Sequence, residues 1–198
     1  MINYILIGNT GVGKSSFINR FMDEQVAKTG KYEETTNDIK SYTKKSKNIS
    51  LIDLPGLNFQ KDSQTSLEAE QRNIAYLRKL IEVTKQFTIH GIIYVTAFHS
   101  RLSSAERETL RLIAKELPNH YWKNSTIVFT RCAGRLDTLG SDKFESGVQA
   151  RLQEITDYLK KENRDFGFFK RVILVDNVNF NWHENAREIS ECLDGKFW

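Results

Sequence analysis

The octapeptide GNTGVGKS at residues 8–15 decides the fold. It matches the pattern G-x-x-x-x-G-K-[ST], in which glycines let the backbone curl so that its N–H groups face a chain of phosphates. The apolar run YILI at 4–7 precedes it and the segment SSFI at 15–18 continues from it. This is the strand–loop–helix context that the motif requires, and the start of the helix adds a dipole that attracts anions. The sequence therefore predicts a phosphate-binding loop.

Two side chains of the loop predict how a triphosphate would be held. Lys14 can reach the β- and γ-phosphates as a point charge, and the hydroxyl of Ser15 can be a ligand of Mg²⁺. A purely structural glycine turn is the alternative, which the flanking strand and helix disfavour. The residues predicted to contact the nucleotide here are Asn9, Thr10, Gly11, Val12, Gly13, Lys14, Ser15 and Ser16.

Around this loop, apolar runs of strand length alternate with longer helical patterns. The predicted strands are 3–7, 39–43, 49–53, 89–97, 125–130 and 171–175, and the predicted helices are 14–22, 67–84, 103–117, 144–161 and 184–193. Such alternation predicts a three-layer α/β domain whose six-stranded sheet is mainly parallel, with helices on both faces. Antiparallel pairing is expected only at the turn 44–48. Four runs (YILI, GIIYV, IVF and VILV) read as strands covered on both faces, whereas 39–43 alternates as an edge strand does.

Length and composition exclude several classes of protein. The chain has 198 residues, a net charge of +4 and 39% hydrophobic residues, which fits one folded domain and excludes disorder. No apolar stretch reaches the length of a membrane-spanning helix. The two cysteines, Cys132 and Cys192, predict free thiols in a reducing compartment. The lysines between 40 and 47 predict a solvated strand edge, with a patch for anionic lipid or RNA as the alternative.

A second motif tests the first. The sequence DLPG at 53–56 follows an apolar strand. Asp53 at a strand tip can face Mg²⁺ through water, and the N–H of Gly56 can meet a γ-phosphate and release it after hydrolysis. D-x-x-G alone is a weak signal, but after a phosphate-binding loop it indicates a nucleotide switch. A threonine that closes over Mg²⁺ and the γ-phosphate would lie between the two motifs, in 33–38. We predict that it is Thr36, with Thr35 as the second choice. The alternative is that both are ordinary loop threonines.

The phosphate-binding loop, the switch threonine, D-x-x-G and a T-[RK]-type loop follow one another in the order found in translation-factor-like G domains. The chain resembles more closely the GTPases of immunity-associated proteins (the avirulence-induced type). Chloroplast-import receptor GTPases are similar too, and the ETT…DLPG portion resembles interferon-inducible GTPases. The likeness spans about residues 1–177. It rests on ILIGNTGVGKSSFINRF (5–21), DLPGLNF (53–59), HGIIYVTAFHSRLSSAERETLRLIAKEL (90–117) and VFTR (128–131). The resemblance implies a single G domain over 1–198 that binds GTP or GDP with Mg²⁺ and forms a homodimer through its nucleotide face.

The base-recognition loop departs from the family pattern. A guanine-specific loop reads [NT]-K-x-D, but here Thr130 and Arg131 are followed by Ala133 where the acid belongs, and Asp137 lies four residues later. An unmade bond to a buried base edge costs about 1–3 kcal/mol, so we expect weaker selectivity for guanine. The resemblance implies that Asn177 supplies the second side of the base pocket, and Arg131 remains able to stack on the purine.

The catalytic residues are also incomplete. Leu57 occupies the position after D-x-x-G where small signalling GTPases carry a water-orienting glutamine. Relatives with a hydrophobic residue there tend to depend on self-association. In some of them an arginine of the stretch that corresponds to 90–117 here reaches across the dimer. The matching residue is Arg101, for which a plain solvated charge is the alternative. The predicted catalytic residues are Lys14, Thr36, Gly56 and Arg101, and the predicted Mg²⁺ ligands are Ser15, Thr36 and, through water, Asp53.

These residues predict a GTP-binding switch with slow hydrolysis that depends on dimerisation. Two alternatives remain: a non-hydrolysing scaffold that uses nucleotide to oligomerise, which Leu57 favours, and a P-loop ATPase or nucleotide kinase, which Ala133 favours. His90 and His99 have no acid or zinc pattern at a recognisable spacing and are predicted to be structural. We expect a cytoplasmic protein with no nucleic-acid partner and no transmembrane segment, able to contact a membrane peripherally.

Overall fold

The computed structural model of the chain describes residues 1–28, 39–56, 66–98, 101–132, 139–162 and 169–175, without the side chains of 66–70, 72, 73 and 141. Its sheet has six strands in the order β2-β3-β1-β4-β5-β6. The strands are β1 Ile2–Ile7, β2 Lys40–Lys44, β3 Ile49–Asp53, β4 Gly91–Ala97, β5 Thr126–Thr130 and β6 Arg171–Val175. Among the strands of the described residues, only the β2–β3 pair is antiparallel. The predicted α/β fold is thereby confirmed, with the antiparallel hairpin at the predicted turn.

Helices pack on both faces of this sheet. They are α1 Lys14–Met22, α2 Ser66–Gln86, α3 Ser104–Glu116, the short α4 Asn119–Trp122 and α5 Ser141–Glu162. One apolar core joins α1 to the sheet through Phe17, Ile18 and Phe21. The other core joins the opposite face of the sheet to α2, α3 and α5. The sheet is the middle layer of three.

Local sequence signals place the ends of α3. Ser103 is its N-cap and accepts a hydrogen bond from the backbone N–H of Glu106, whose side chain accepts in turn from the N–H of Ser103. This arrangement is a capping box, and it satisfies N–H groups that the helix itself cannot. The helix ends at Glu116, before Leu117 and Pro118, because proline lacks an N–H and disfavours helical backbone before it.

One prediction about the fold needs correction, one lies outside the described residues, and two short elements were not predicted. The run VILV in β6 was expected to be covered on both faces, but Leu174 is 43% exposed, so one face of this outermost strand of the described sheet is only partly covered. The sequence reading missed α4 and a 3₁₀ turn at Lys45–Lys47. The helix predicted at 184–193 lies outside the described ranges. Within those ranges, no helix combines the length and the apolar character needed to cross a bilayer.

Candidate nucleotide-binding site

The loop between β1 and α1 leaves the start of α1 open to an anion. Gly13 is the N-cap with φ 101°, a left-handed conformation that glycine adopts at little cost. No side chain of the described residues caps the helix, and its first turn carries no acidic residue. The first N–H groups of a helix have no partner within it. An uncapped start therefore favours a phosphate, as the sequence predicts for this loop.

Lys14 is folded over this loop. Its Nζ donates to the carbonyl oxygens of Gly8 at 2.9 Å and Asn9 at 3.2 Å, and only 8% of the residue is exposed. Ser15 and Ser16, in the first turn of α1, are half-buried. The loop thus brings a cation and two hydroxyl groups to the helix start.

The second motif lies directly against the first. A Cβ added to Gly56 would lie 2.7 Å from the backbone N of Thr10, 2.7 Å from its Oγ1 and 2.8 Å from Nζ of Lys14. Such distances are shorter than van der Waals contact, so a larger residue does not fit here without movement. Thr10 Oγ1 is buried, and it has no hydrogen-bond partner among the described residues. A polar atom is therefore left facing the junction of the two motifs.

Asp53 reaches this junction through the pairing of β3 with β1. The parallel register places Asp53 beside Leu6, two residues before the loop begins, and Asp53 is fully buried. Burial and then the negative charge of Asp53 raise the pKa of Tyr76, and the same two causes raise the pKa of Tyr42. Both tyrosines therefore stay neutral around this carboxyl group at neutral pH.

The predicted base-recognition residues also come to the loop, but they contact its main chain. Thr130 Oγ1 donates to the carbonyl of Val12 at 2.5 Å, and Arg131 Nη2 donates to the carbonyl of Gly11 at 2.7 Å. Arg131 is exposed and has φ 61°. Just after it, Cys132 is buried, and its Sγ donates to the carbonyl of Phe129 at 3.2 Å. The end of β5 is therefore joined to the phosphate loop by side chains 118 and 120 residues distant in sequence.

A link that the sequence reading missed joins the loop to α3. Thr109 Oγ1 donates to the side-chain oxygen of Asn9, 100 residues away, and contacts the carbonyl of Ala105 at 3.1 Å. Thr109 is fully buried. A threonine inside a helix carries no local signal of such a bond, since its pattern is also that of an ordinary core position.

A buried ion pair near Arg101 was missed as well. Arg151 Nη2 of α5 lies 2.6 Å from Glu106 Oε1 of α3, and the two side chains are 2% and 5% exposed. One signal was present in the sequence: Arg151 falls on the apolar stripe of α5 with Val148, Ile155 and Leu159. A charge on a buried helix face implies a partner. Arg101 itself is exposed, three residues before α3 begins.

Several predicted residues lie outside the described ranges. These are Thr35, Thr36, Leu57, His99, Ala133, Asp137, Asn177 and Cys192. His90 is described, and its Nδ1 accepts from the backbone N–H of Asn3 at 3.1 Å, which is a structural contact. Among the described residues, no group of three or more His, Cys, Asp or Glu could hold a metal ion. A metal here would depend on hydroxyl groups, on Asp53 and on the ligand's own oxygens.

The phosphate loop, the D-x-x-G junction and the sheet order define a P-loop nucleotide-binding domain. The 50S ribosome-binding GTPase family model matches residues 3–131, and the chain belongs to this family of GTPases. This confirms the predicted GTPase class.

Similar proteins of known name include two chloroplast translocases. The chain is 28% identical to translocase of chloroplast 159 of Arabidopsis thaliana over 139 residues, which is 67% of this chain and 9% of that protein. It is 26% identical to translocase of chloroplast 34 of the same plant over 204 residues, 100% of this chain and 62% of that one. The chain therefore spans less than two thirds of these relatives.

The fold is also that of solved chloroplast GTPases. Toc33 of Arabidopsis thaliana in complex with Mg²⁺ and GMPPNP superposes with a TM-score of 0.65 at 17% identity, covering 98% of this chain and 85% of that one. A second structure comes from work on atToc33 and psToc159, for whose GTPase activity dimerization is important. It superposes with a TM-score of 0.69 at 16% identity, covering 98% of this chain and 82% of that one.

Proposed function

We propose that residues 1–198 form a single G domain of the immunity-associated (avirulence-induced) type, a GTP-binding switch that hydrolyses GTP slowly and depends on self-association to do so. The observation that carries this proposal is the contact of Gly56 with the phosphate loop, where a Cβ would come within 2.8 Å of both Thr10 and Lys14. A glycine fitted against the phosphate-binding lysine suits a segment that senses the γ-phosphate.

The residues at the junction suit a nucleotide with Mg²⁺. The N–H groups of 9–16 would bind the phosphates at the open start of α1, and Lys14 would neutralise charge on the β- and γ-phosphates. Ser15 and Thr36 would be ligands of the ion, with Asp53 acting through water. The buried Thr10 Oγ1 supports this fit, because it faces the junction without a bond from a described residue. The solved Toc33 complex contains Mg²⁺ and a GTP analogue.

Hydrolysis needs a positioned water and positive charge at the transferring phosphoryl group. Mg²⁺ supplies part of that charge when it is bound, and Lys14 supplies part of the rest. Leu57 cannot orient water, so the missing contribution has to come from elsewhere. We assign it to the exposed Arg101, which a second copy would direct at the nucleotide face. Dimerization is important for the GTPase activity of the solved Toc relatives.

Base recognition in this proposal uses Thr130, Arg131 and Asn177. Thr130 and Arg131 are already tied to the phosphate loop, at 2.5 Å and 2.7 Å from its carbonyl oxygens. With Ala133 in the position of the usual acid, guanine is preferred over adenine by a smaller factor than a complete loop gives. We further propose that the partner is a second copy of the chain. The protein would act in the cytoplasm, where it could contact a membrane peripherally.

The test measures GTP turnover as protein concentration rises, for the wild-type chain, for Arg101→Ala and for the control Arg111→Ala. Arg111 is also an arginine of this helical region, but it is in an exposed ion pair with Glu108. Turnover per molecule should rise with concentration in the wild type and in the control. Arg101→Ala should lose about 100-fold or more in turnover with GTP affinity almost unchanged, since a donated arginine contributes about 10³–10⁵ in related systems.

Other outcomes select other functions. Turnover that stays flat while the chain dimerises excludes catalysis across the dimer. Dimers without turnover indicate a nucleotide-dependent scaffold. ATP bound as tightly as GTP, measured by calorimetry on the same samples, indicates an ATPase or kinase with relaxed base specificity.

A further inference from the structure

The main chain next to Arg101 is held from several directions by charged side chains. The backbone N–H of Leu102 donates to Glu154 Oε1 at 3.3 Å, and the Leu102 carbonyl accepts from Arg107 Nε at 3.4 Å. Leu102 is also buried in the core. An exposed arginine therefore extends from a backbone that is fixed at the very next residue.

A chain of ion pairs in turn holds these side chains. Arg151 joins Glu154 Oε2 at 3.0 Å to Glu106 Oε1 at 2.6 Å. Glu106 accepts from Ser103 N at 3.0 Å and from Thr96 Oγ1 at 2.5 Å, which anchors the network to the end of β4. Burial acts to raise the pKa of Glu106, but the hydrogen bonds of Thr96 and Ser103 and the charge of Arg151 outweigh it, and the pKa is lowered. Glu106 is therefore ionised at neutral pH.

This network reaches further than the packing of α3 on α5 requires. The buried Arg151–Glu106 pair and the shared apolar core already join the two helices, with an exposed Arg107–Glu154 pair at 3.4 Å beside them, and the capping box satisfies the start of α3. Glu154 adds a bond to the loop, to an N–H outside the helix, from a side chain that is 35% exposed. A half-exposed carboxylate adds little stability. Its bond to Leu102 is instead suited to fixing where the loop residue beside it stands.

We propose that Glu154 is a positioning residue for GTP hydrolysis, which fixes the main chain at Leu102 so that Arg101 enters the partner's site from one defined place. The proposal rests on the role of Arg101 given above. Catalytic groups contribute most when their supports hold them within a fraction of an ångström, and a displacement of about 1 Å can cost 100-fold. Glu154 touches no nucleotide in this account and acts through Arg101 alone.

The experiment is a double-mutant cycle on the full chain: wild type, Arg101→Ala, Glu154→Ala and the double variant. Turnover is measured at saturating GTP and at dimer-forming concentrations, with GTP affinity, dimer affinity and melting temperature alongside. Glu154→Ala should lower turnover about tenfold in the wild-type background and less than twofold in the Arg101→Ala background. The affinities should not change, and Arg151 keeps Glu106 as its partner, so the fold should persist.

Two further variants separate positioning from stability. Glu154→Gln retains an oxygen that can accept from Leu102 and should recover much of the lost turnover. The control Glu108→Ala removes an exposed carboxylate paired with Arg111 at 2.6 Å and should leave turnover unchanged. An equal loss in both backgrounds of the cycle, or no loss at all, overturns the positioning role while leaving that of Arg101 intact. Full turnover in Arg101→Ala overturns the catalytic arginine itself and this proposal with it.

Discussion

The phosphate end of the sheet and the α3–α5 face are built in different ways. The first consists of the octapeptide 8–15 and the tetrapeptide 53–56, and it presents mainly backbone groups to a ligand. Its lysine, Lys14, donates to carbonyl groups only five and six residues earlier in the chain. The second depends on contacts between residues 45 and 52 apart, in which Arg151 pairs with Glu106 and Glu154 accepts from the backbone N–H of Leu102. The first region is thus open to a ligand and the second is closed on itself. Substitutions in the first region should therefore chiefly cost nucleotide binding, and loss of the buried ion pair in the second region should cost stability.

The largest expected effect is on the closed face. Glu106→Ala leaves Arg151 buried without its main partner and removes the capping box of α3. Removing one member of a buried pair costs about 3–5 kcal/mol. The matched control is Glu108→Ala on the same helix, which breaks the exposed pair with Arg111 and should cost less than about 1 kcal/mol. Urea denaturation of both variants measures the difference in the free energy of unfolding.

Acid gives an independent check on this pair. Because the pKa of Glu106 is lowered in the folded chain, its contribution is fully present above the pKa of the unfolded state, whose ordinary value is 4.5. That contribution is lost as the pH falls through the lowered folded pKa. The gap in stability between wild type and Glu106→Ala should therefore narrow in acid. If Glu106→Ala and Glu108→Ala lower the free energy of unfolding by the same amount at neutral pH, the buried pair is not a stabilising contact.

The second largest effect is expected on nucleotide binding at the phosphate loop. Lys14→Ala removes the cation predicted to contact two phosphates, each contact being worth about 1.5–3 kcal/mol, so GTP affinity should fall by about 100-fold or more. The free energy of unfolding should change by only about 1 kcal/mol, because Lys14 bonds to carbonyl groups of its own loop. Calorimetry with GTP and Mg²⁺ measures the affinity, and Lys40→Ala, an exposed lysine of β2, is the control. Unchanged affinity in a folded Lys14→Ala chain would refute the phosphate-binding loop.

The same contrast explains how much could be predicted from the sequence. The phosphate loop, the D-x-x-G segment and the capping box at Ser103 are contiguous motifs, so their residue spacing is sufficient to place them on strands and helix ends. The mainly parallel sheet follows from the alternation of strands and helices, whereas the order of its strands was not predicted. The edge position of β2 was readable from its alternating pattern, whereas the exposed Leu174 of β6 was not, because its run is apolar throughout.

The long-range contacts could not be predicted in the same way. Thr109 bonds to Asn9 across 100 residues, and Thr130 to the Val12 carbonyl across 118. Nothing in the local pattern distinguishes such a threonine from a core residue. Arg151 was the exception in principle, since a charge on the apolar stripe of α5 implies a buried partner, although the stripe does not say which one. The roles of Thr36, Arg101 and Asn177 remain predictions.

The smallest effect is expected at Gly56, where the D-x-x-G segment packs closely against the phosphate loop. In Gly56→Ala the new Cβ would stand 2.7 Å from the backbone N of Thr10, an atom that cannot swing away as a side chain does. The segment after β3 must therefore move outward, which carries the N–H of residue 56 away from the γ-phosphate that GTP has and GDP lacks. We expect GTP affinity to fall about tenfold more than GDP affinity, the cost of about one charge-assisted hydrogen bond. The fold should persist, as it should in the control Gly147→Ala on α5, whose Cβ would lie 3.2 Å from the Phe98 ring. Calorimetry with a non-hydrolysable GTP analogue and with GDP gives the two affinities. An equal loss for both nucleotides would mean that Gly56 shapes the phosphate loop as a whole, and that the D-x-x-G segment does not distinguish the two nucleotides.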